Sequence, residues 1–410
     1  MTSEPLNSLF VWIWLPEATE PVVAGRLDRR GDRFVFSYGR SYLDRPGGAA
    51  IYLPELPLDR FEHEPLDGPI PLCLDDAAPD SWGRAVINAH LGQVGNELDI
   101  LTYLVESGSD RVGALDFQRS PTEYISRAPF HAPLEQLLVA ADVVAAGETL
   151  DPDLARALVN GTPLGGARPK ALIDHAARKY LAKFSRSTDT FLWVQSEYVA
   201  MELASRCDLD VAPVRYVEAM ERDVMLVERF DRPATGTRDR VVSAATILGM
   251  QTIVAARHFT YTEFADVIRA RFIEPDATLR ELFARIMFNI AVGNTDDHAR
   301  NHAAFVLGTG HELKLTPAYD ISPQPRHGQT ARHPQFGATG NDRDSRIAAL
   351  VEAAPIYHLD AQEAQSIADR YVDTIRSEWD EVCDLARLTV SQRRTLMGGP
   401  ILNDYIFYAE

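Results

Sequence analysis

The sequence predicts an α+β protein, β-rich in its N-terminal half and all-α in its C-terminal part. Three observations carry this. β-branched and aromatic runs fill the first 40 positions, two apolar hairpin patterns lie between residues 171 and 227, and from Ala244 onward nearly every long segment has helical apolar spacing.

A chain of 410 residues should form two or three packed units. With 46% hydrophobic and 24% charged residues it falls in the globular range, which excludes a disordered or low-complexity protein. Lys and Arg number 41 against 59 Asp and Glu, a net charge of −18 that repels a polyphosphate backbone over any broad surface. Direct nucleic-acid binding is therefore not expected, whereas a basic protein partner suits the charge. Cys73, Cys207 and Cys383 are far apart and form neither a disulfide framework nor a zinc knuckle, in keeping with a cytoplasmic protein. The apolar run Leu9–Leu15 lacks a preceding basic region and is far shorter than the ~20 residues of a membrane span, so it reads as a buried strand.

Phe10–Leu15, Val22–Leu27 and Arg33–Tyr38 read as a meander, with a turn at Arg29-Arg30-Gly31-Asp32. After Pro79-Asp80-Ser81-Trp82-Gly83-Arg84 the pattern turns helical, at Ala85–Leu91 and Glu97–Leu104. Two helices follow within 132–160, the second opened by Asp151-Pro152-Asp153. A Gly and Pro loop, Gly161–Lys170, leads to a hairpin of Ala171–Ile173 and Tyr180–Phe184, then a helix over Phe191–Cys207. Val214–Ala219 and Val224–Val227 make the second hairpin, and Leu279, Phe283, Ile286, Met287 and Ile290 share one helical face. The polar stretch Ile321–Arg346 is long enough to be a functional loop. These boundaries divide the chain at 1–130, 131–231 and 232–410.

The chemistry concentrates in Gly293-Asn294-Thr295-Asp296-Asp297-His298-Ala299-Arg300-Asn301, directly after an apolar helix. Phosphoryl transfer needs a carboxylate to orient a nucleophilic hydroxyl, oxygen ligands for Mg²⁺, and cations on the γ-phosphate. Asp296 and Asn301 have the D-x4-N spacing of protein-kinase catalytic loops, His298 stands where many kinases have a lysine, and Arg300 adds a positive group. The plain alternative is a capped polar turn after a helix. Asp320, 19 residues after Asn301, is a candidate second metal acid; a turn or cap is its ordinary reading.

Gly165, Gly166 and Ala167 offer backbone N–H groups to phosphates, although Ala167 breaks the Walker pattern. Lys170 and Lys183 are candidate phosphate contacts, and Glu197 or Glu202 could pair with Lys183. Glu228, Phe230 and Asp231 lie where a nucleotide base could meet backbone while Asp231 reaches ribose; a charged linker is the alternative there.

Taken in order, Gly165–Ala171, Glu228–Arg232, Gly293–Asn301 and Thr316–Asp320, with Asp80–Arg84 and Asp110–Leu115, resemble the HipA family of serine/threonine kinases, toxins of HipBA-type toxin–antitoxin modules. The resemblance implies a two-lobe, protein-kinase-like fold behind a small N-terminal β-rich subdomain. It implies ATP and Mg²⁺ as cofactors, Asp296 as catalytic base, Asn301 and Asp320 as metal ligands, Lys183 on phosphate, and Glu228 with Phe230 as hinge. It further implies a protein substrate such as an aminoacyl-tRNA synthetase, a role in persistence, and a HipB-like DNA-binding antitoxin. Family members are inactivated by phosphorylation just before the Gly-Gly-Ala segment, where Thr162 is the nearest hydroxyl and Pro163 takes the place of a common serine.

Two other classes remain open on the residues alone. One is a metal hydrolase built on Asp296, Asp297, His298 and His302, with His298-x3-His302 placing two imidazoles on one helical face. The other is a catalytically silent, kinase-shaped binding or corepressor module.

Overall fold

The computed structural model describes residues 6–66, 68–127, 132–159, 168–175, 178–233, 236–250, 258–326, 330–339 and 342–408. The chain is mixed α and β and divides into two units, each made of three chain segments. The first comprises Met1–Arg186, Glu218–Val242 and Phe305–Glu312; the second comprises Ser187–Val217, Ser243–Ala304 and Leu313–Glu410.

In the first unit, β1 (Ser8–Ile13), β2 (Val22–Arg30) and β3 (Arg33–Tyr38) form the expected meander. Gly31, at φ 63° in the two-residue turn between β2 and β3, adopts the left-handed conformation that such hairpins require. β4 (Glu62–His63) and β5 (Leu115–Gln118) extend the sheet to the order β4-β3-β2-β1-β5. β5 was not expected from the sequence: four residues give too little alternation to read, and its place depends on pairing with a strand a hundred residues earlier.

The helix Ser81–His90 begins at Asp80, whose Oδ1 accepts from Gly83 N at 2.7 Å, so it starts four residues before the apolar pattern suggests. A second sheet holds β6 (Lys170–His175), β7 (Arg178–Phe184), β8 (Val214–Ala219) and β9 (Arg222–Glu228) in the order β6-β7-β9-β8. Both predicted hairpins are present in it. β6 and β7 are antiparallel, with Lys170 opposite Lys183 and Leu172 opposite Leu181.

A buried ionic network ties Asp110–Gly113 to Arg229–Arg232 within this unit. The Arg229 guanidinium donates to Asp110 Oδ1 at 2.9 Å, Asp231 Oδ1 at 3.0 Å and Asp231 Oδ2 at 2.9 Å. Arg232 donates to Asp110 Oδ1 at 2.8 Å and Asp231 Oδ2 at 3.0 Å. Burial opposes the charge on Asp110 and Asp231, but the two arginines outweigh it and hold both carboxyls below their ordinary range.

The second unit is helical, with Trp193–Arg206 packed on Ala361–Leu385 and Tyr261–Arg271 on Pro275–Val292. Three short strands, β10 (Val241–Ser243), β11 (Ala303–Val306) and β12 (Leu313–Leu315), occur where the chain passes from one unit to the other. Among the described residues no helix is long and apolar enough to cross a membrane.

Arg229→Met keeps most of the volume but leaves Asp110 and Asp231 short of a buried cation. A loss of about 3–5 kcal/mol is expected, read as a lower denaturation midpoint of the full-length protein. Because both carboxyls are depressed, their stabilisation is complete above about pH 4 and is lost as the pH falls through their folded-state values. The stability gap between wild type and Arg229→Met should therefore narrow in acid.

Candidate active site

The apolar helix Pro275–Val292 ends at Gly293, which caps it in the left-handed conformation at φ 69°. A Cβ on Gly293 would lie 2.5 Å from Pro400 O, so conformation and space both demand glycine. The chain then runs without regular secondary structure, is extended at His298, and enters a short 3-10 turn, Ala299–Asn301.

Asp296 and Asp297 are adjacent acids in opposite environments. Asp297 is buried, and its Oδ2 accepts from the Tyr261 hydroxyl and from Asn289 Nδ2 at 3.1 Å, and shares a 2.8 Å hydrogen bond with His302 Nε2. Its Oδ1 accepts from His298 N at 3.1 Å. Burial works against ionisation, yet His302 and these hydrogen bonds prevail and hold the carboxyl below its ordinary value. Asn294 Nδ2 donates to Asn289 Oδ1 at 3.0 Å, which fastens the segment to the helix before it. Asp296 is exposed. Adjacent in sequence, the two acids are thus divided between interior and surface.

Asn301 is nearly buried, with Nδ2 3.5 Å from Asp296 O. His298 and Arg300 are half-buried, and Nδ1 of His298 is buried without a hydrogen-bond partner among the described residues. Asp320 reaches this loop through its neighbours: the Tyr319 hydroxyl donates to Arg300 O at 2.9 Å, and Gln324 N donates to Gly293 O at 3.0 Å. Asp320 has φ 60°, a left-handed conformation that Asp tolerates better than most residues. The turn follows Ala318, whose N–H donates to Asp210 O at 2.7 Å and whose carbonyl accepts from Ala212 N at 2.9 Å. Asp296, His298, Arg300, Asn301 and Asp320 are thus brought together in the second unit.

The first unit holds Lys170, Lys183, Glu228, Phe230 and Asp231. Lys170 is 1% exposed, with Nζ 2.7 Å from Asp80 Oδ2, and Lys183 is 9% exposed directly across the ladder. Glu228 forms an ion pair with Arg178, and Phe230 packs edge-on to Phe305 with ring centroids 5.8 Å apart. Asp231 departs from expectation. Its carboxylate is buried and accepts four hydrogen bonds, from Arg229 twice, from Arg232 and from Gly113 N, so it is an interior counter-ion. Glu197, buried in the second unit, and Glu202, 3.3 Å from Arg206, are the other two acids considered. Thr162, Gly165, Gly166 and Ala167 lie outside the described residues.

The hydrolase reading fails on geometry. His298 and His302 both have extended backbone and flank a 3-10 turn, so they do not share a helical face, and His302 is committed to Asp297. Sequence reasoning missed the roles of Tyr261 and Asn289, whose only signal was polarity at positions otherwise read as helix core.

Comparison with known proteins bears on family and fold. Residues 162–379, more than half of the chain, match the model of the HipA-like C-terminal domain, and residues 15–118 match that of the HipA N-terminal domain. A relative named as a kinase, Y4mE of Sinorhizobium fredii, is 28% identical over 327 residues, covering 72% of this chain and 73% of that protein. The serine/threonine-protein kinase toxin HipA of Shewanella oneidensis is 27% identical over 146 residues, 31% of this chain and 33% of that protein. A solved structure of the Shewanella oneidensis MR-1 toxin–antitoxin system, HipA with HipB and operator DNA, shares the fold with a TM-score of 0.63 at 16% identity. That match covers 96% of this chain and 99% of the other.

Asp297→Asn puts an amide where three donors converge and is expected to cost about 1–3 kcal/mol. Asp296→Asn, at an exposed position, should leave the melting temperature unchanged. Thermal denaturation of the two variants beside wild type measures the contrast.

Proposed function

The chain belongs to the HipA family of kinases, and we propose that it transfers the γ-phosphate of ATP to a serine or threonine hydroxyl of a protein. The observation that carries this reading is the division of labour between two adjacent acids. Asp297 is consumed in fixing the loop, while Asp296 is presented to solvent beside Asn301 and the segment bearing Asp320.

Bound Mg²⁺-ATP supplies the phosphoryl group and the charge neutralisation for its transfer. The donor set fits that metal: the Asn301 amide and Asp320 carboxylate are hard oxygen ligands, and Mg²⁺ is commonly held by one or two protein oxygens together with phosphates. In the proposed mechanism Asp296 orients the acceptor hydroxyl and takes its proton, with His298 just before the loop's 3-10 turn and Arg300 within it. Lys183 faces the nucleotide phosphates, with the glycine-rich segment at Gly165, Gly166 and Ala167 contributing backbone N–H groups. The side chains of Asn301 and Asp320 hold the metal.

The proposed acceptor is an aminoacyl-tRNA synthetase or another translation component, a substrate class supported by the family resemblance. The proposed inhibitor is a HipB-like DNA-binding antitoxin. Its support is that the Shewanella HipA of like fold was solved together with HipB and operator DNA, and that a net charge of −18 suits a basic partner. Thr162 is proposed as an autophosphorylation site on the resemblance alone.

Asp296→Asn is expected to lower phosphotransfer by about 10²–10⁴-fold while ATP still binds, because the carboxylate acts on the acceptor rather than the nucleotide. Incubating each protein with labelled ATP and a bacterial lysate reads this out; equal labelling by both would remove Asp296 from the mechanism. Asp320→Ala and Asn301→Ala should each weaken Mg²⁺-ATP binding in isothermal titration, and unchanged affinity in both would move the metal site elsewhere.

A further inference from the structure

Lys170 and Lys183 are cross-strand partners on one face of the β6–β7 ladder, and both are nearly buried. Like charges directly opposite one another on a sheet repel, and a buried ammonium needs an anion. For Lys170 the anion comes from the N-terminal β-rich module, as Asp80 Oδ2 at 2.7 Å. The other carboxylate oxygen of Asp80 caps the helix Ser81–His90 through Gly83 N, so the counter-ion is itself fixed. Two residues on, the buried Trp82 donates its indole N–H to Lys170 O at 3.1 Å. One turn of chain thus grips both the backbone and the ammonium of the first residue of β6. The helix it opens also packs against Pro152–Val159, the stem on the other side of the glycine-rich segment.

We propose that Asp80 and Trp82 are positioning residues that hold Lys170, and across the ladder Lys183, in the arrangement that receives an anionic nucleotide. The N-terminal module is then part of the nucleotide-binding apparatus rather than an appendage to it. Asp80 cancels one of the two paired charges and fixes the register of the strand carrying the other at its partner position. This inference rests on the assignment of Lys183 to nucleotide phosphates; the clamp itself is independent of it. Burial raises the Asp80 carboxyl above its ordinary range, and Lys170 with the Gly83 amide only partly offsets this, which marks a carboxylate kept in place at some cost.

The test uses full-length protein in three variants. Asp80→Asn retains a capping oxygen but removes the charge, Trp82→Phe retains the ring but removes the N–H, and Asp80→Glu is the conservative rescue. Hydrogen exchange of the nucleotide-free protein decides the clamp. Amides of residues 168–175 should exchange about tenfold faster or more in Asp80→Asn and Trp82→Phe, with the β1–β3 meander unchanged and Asp80→Glu closer to wild type. Unchanged exchange at 168–175 in both folded variants overturns the proposal, as does acceleration spread evenly over the meander.

The consequence is read as ATP affinity, with Lys183→Ala as the reference. Weaker binding in Asp80→Asn, with kcat at saturating ATP largely kept, supports positioning. Full affinity in Asp80→Asn where Lys183→Ala has lost it overturns the nucleotide role. Full affinity in Lys183→Ala as well would instead overturn the assignment of Lys183, leaving the exchange result to judge the clamp.

Discussion

The site in the second unit depends on one buried carboxylate. Asp297 receives Tyr261 from one helix, Asn289 from another and His302 from the strand-bound side of the loop, and closes the set with the His298 amide. A charge taken out of water is tolerated only when its lone pairs are filled, so the three segments must assemble together or not at all. The outcome is geometric. With Asp297 fixed, the position of the adjoining Asp296 is set by the chain itself.

The same economy recurs in the first unit. Asp231 appears in sequence as a functional acid and in structure as an internal counter-ion, while Asp80, which sequence marks only as part of a resemblance, holds a site lysine. In both units residue type alone does not separate the acid that serves the site from the acid that serves the fold; the partners each one meets do.

This explains what was legible beforehand. The meander, both hairpins, the apolar helix ending at Gly293 and the loop after it could be read, because each depends on local periodicity or on one residue with unusual backbone freedom. β5 and the ionic network between Asp110 and Arg229 could not, since they join positions a hundred or more residues apart and no local pattern records the partner. The site was legible in its residue types, through the D-x4-N spacing and Asp320. Its supports were not: Tyr261 and Asn289 lie inside helices where a polar residue carries no mark of what it will meet.

The interleaving of the two units bears on how the chain is made. Residues 1–186 can leave the ribosome while β9, which lies between β7 and β8, is still unsynthesised, so β7 first emerges with an open edge. At that stage Asp110 has Lys179, 2.8 Å from its Oδ2, but neither Arg229 nor Arg232. The ionic network of the first unit therefore cannot close before residue 232, and the span between is a window in which an unpaired strand edge and an acid short of two of its cations are both displayed to chaperones and to other nascent chains. Slowing of translation beyond Arg186 would lengthen that exposure.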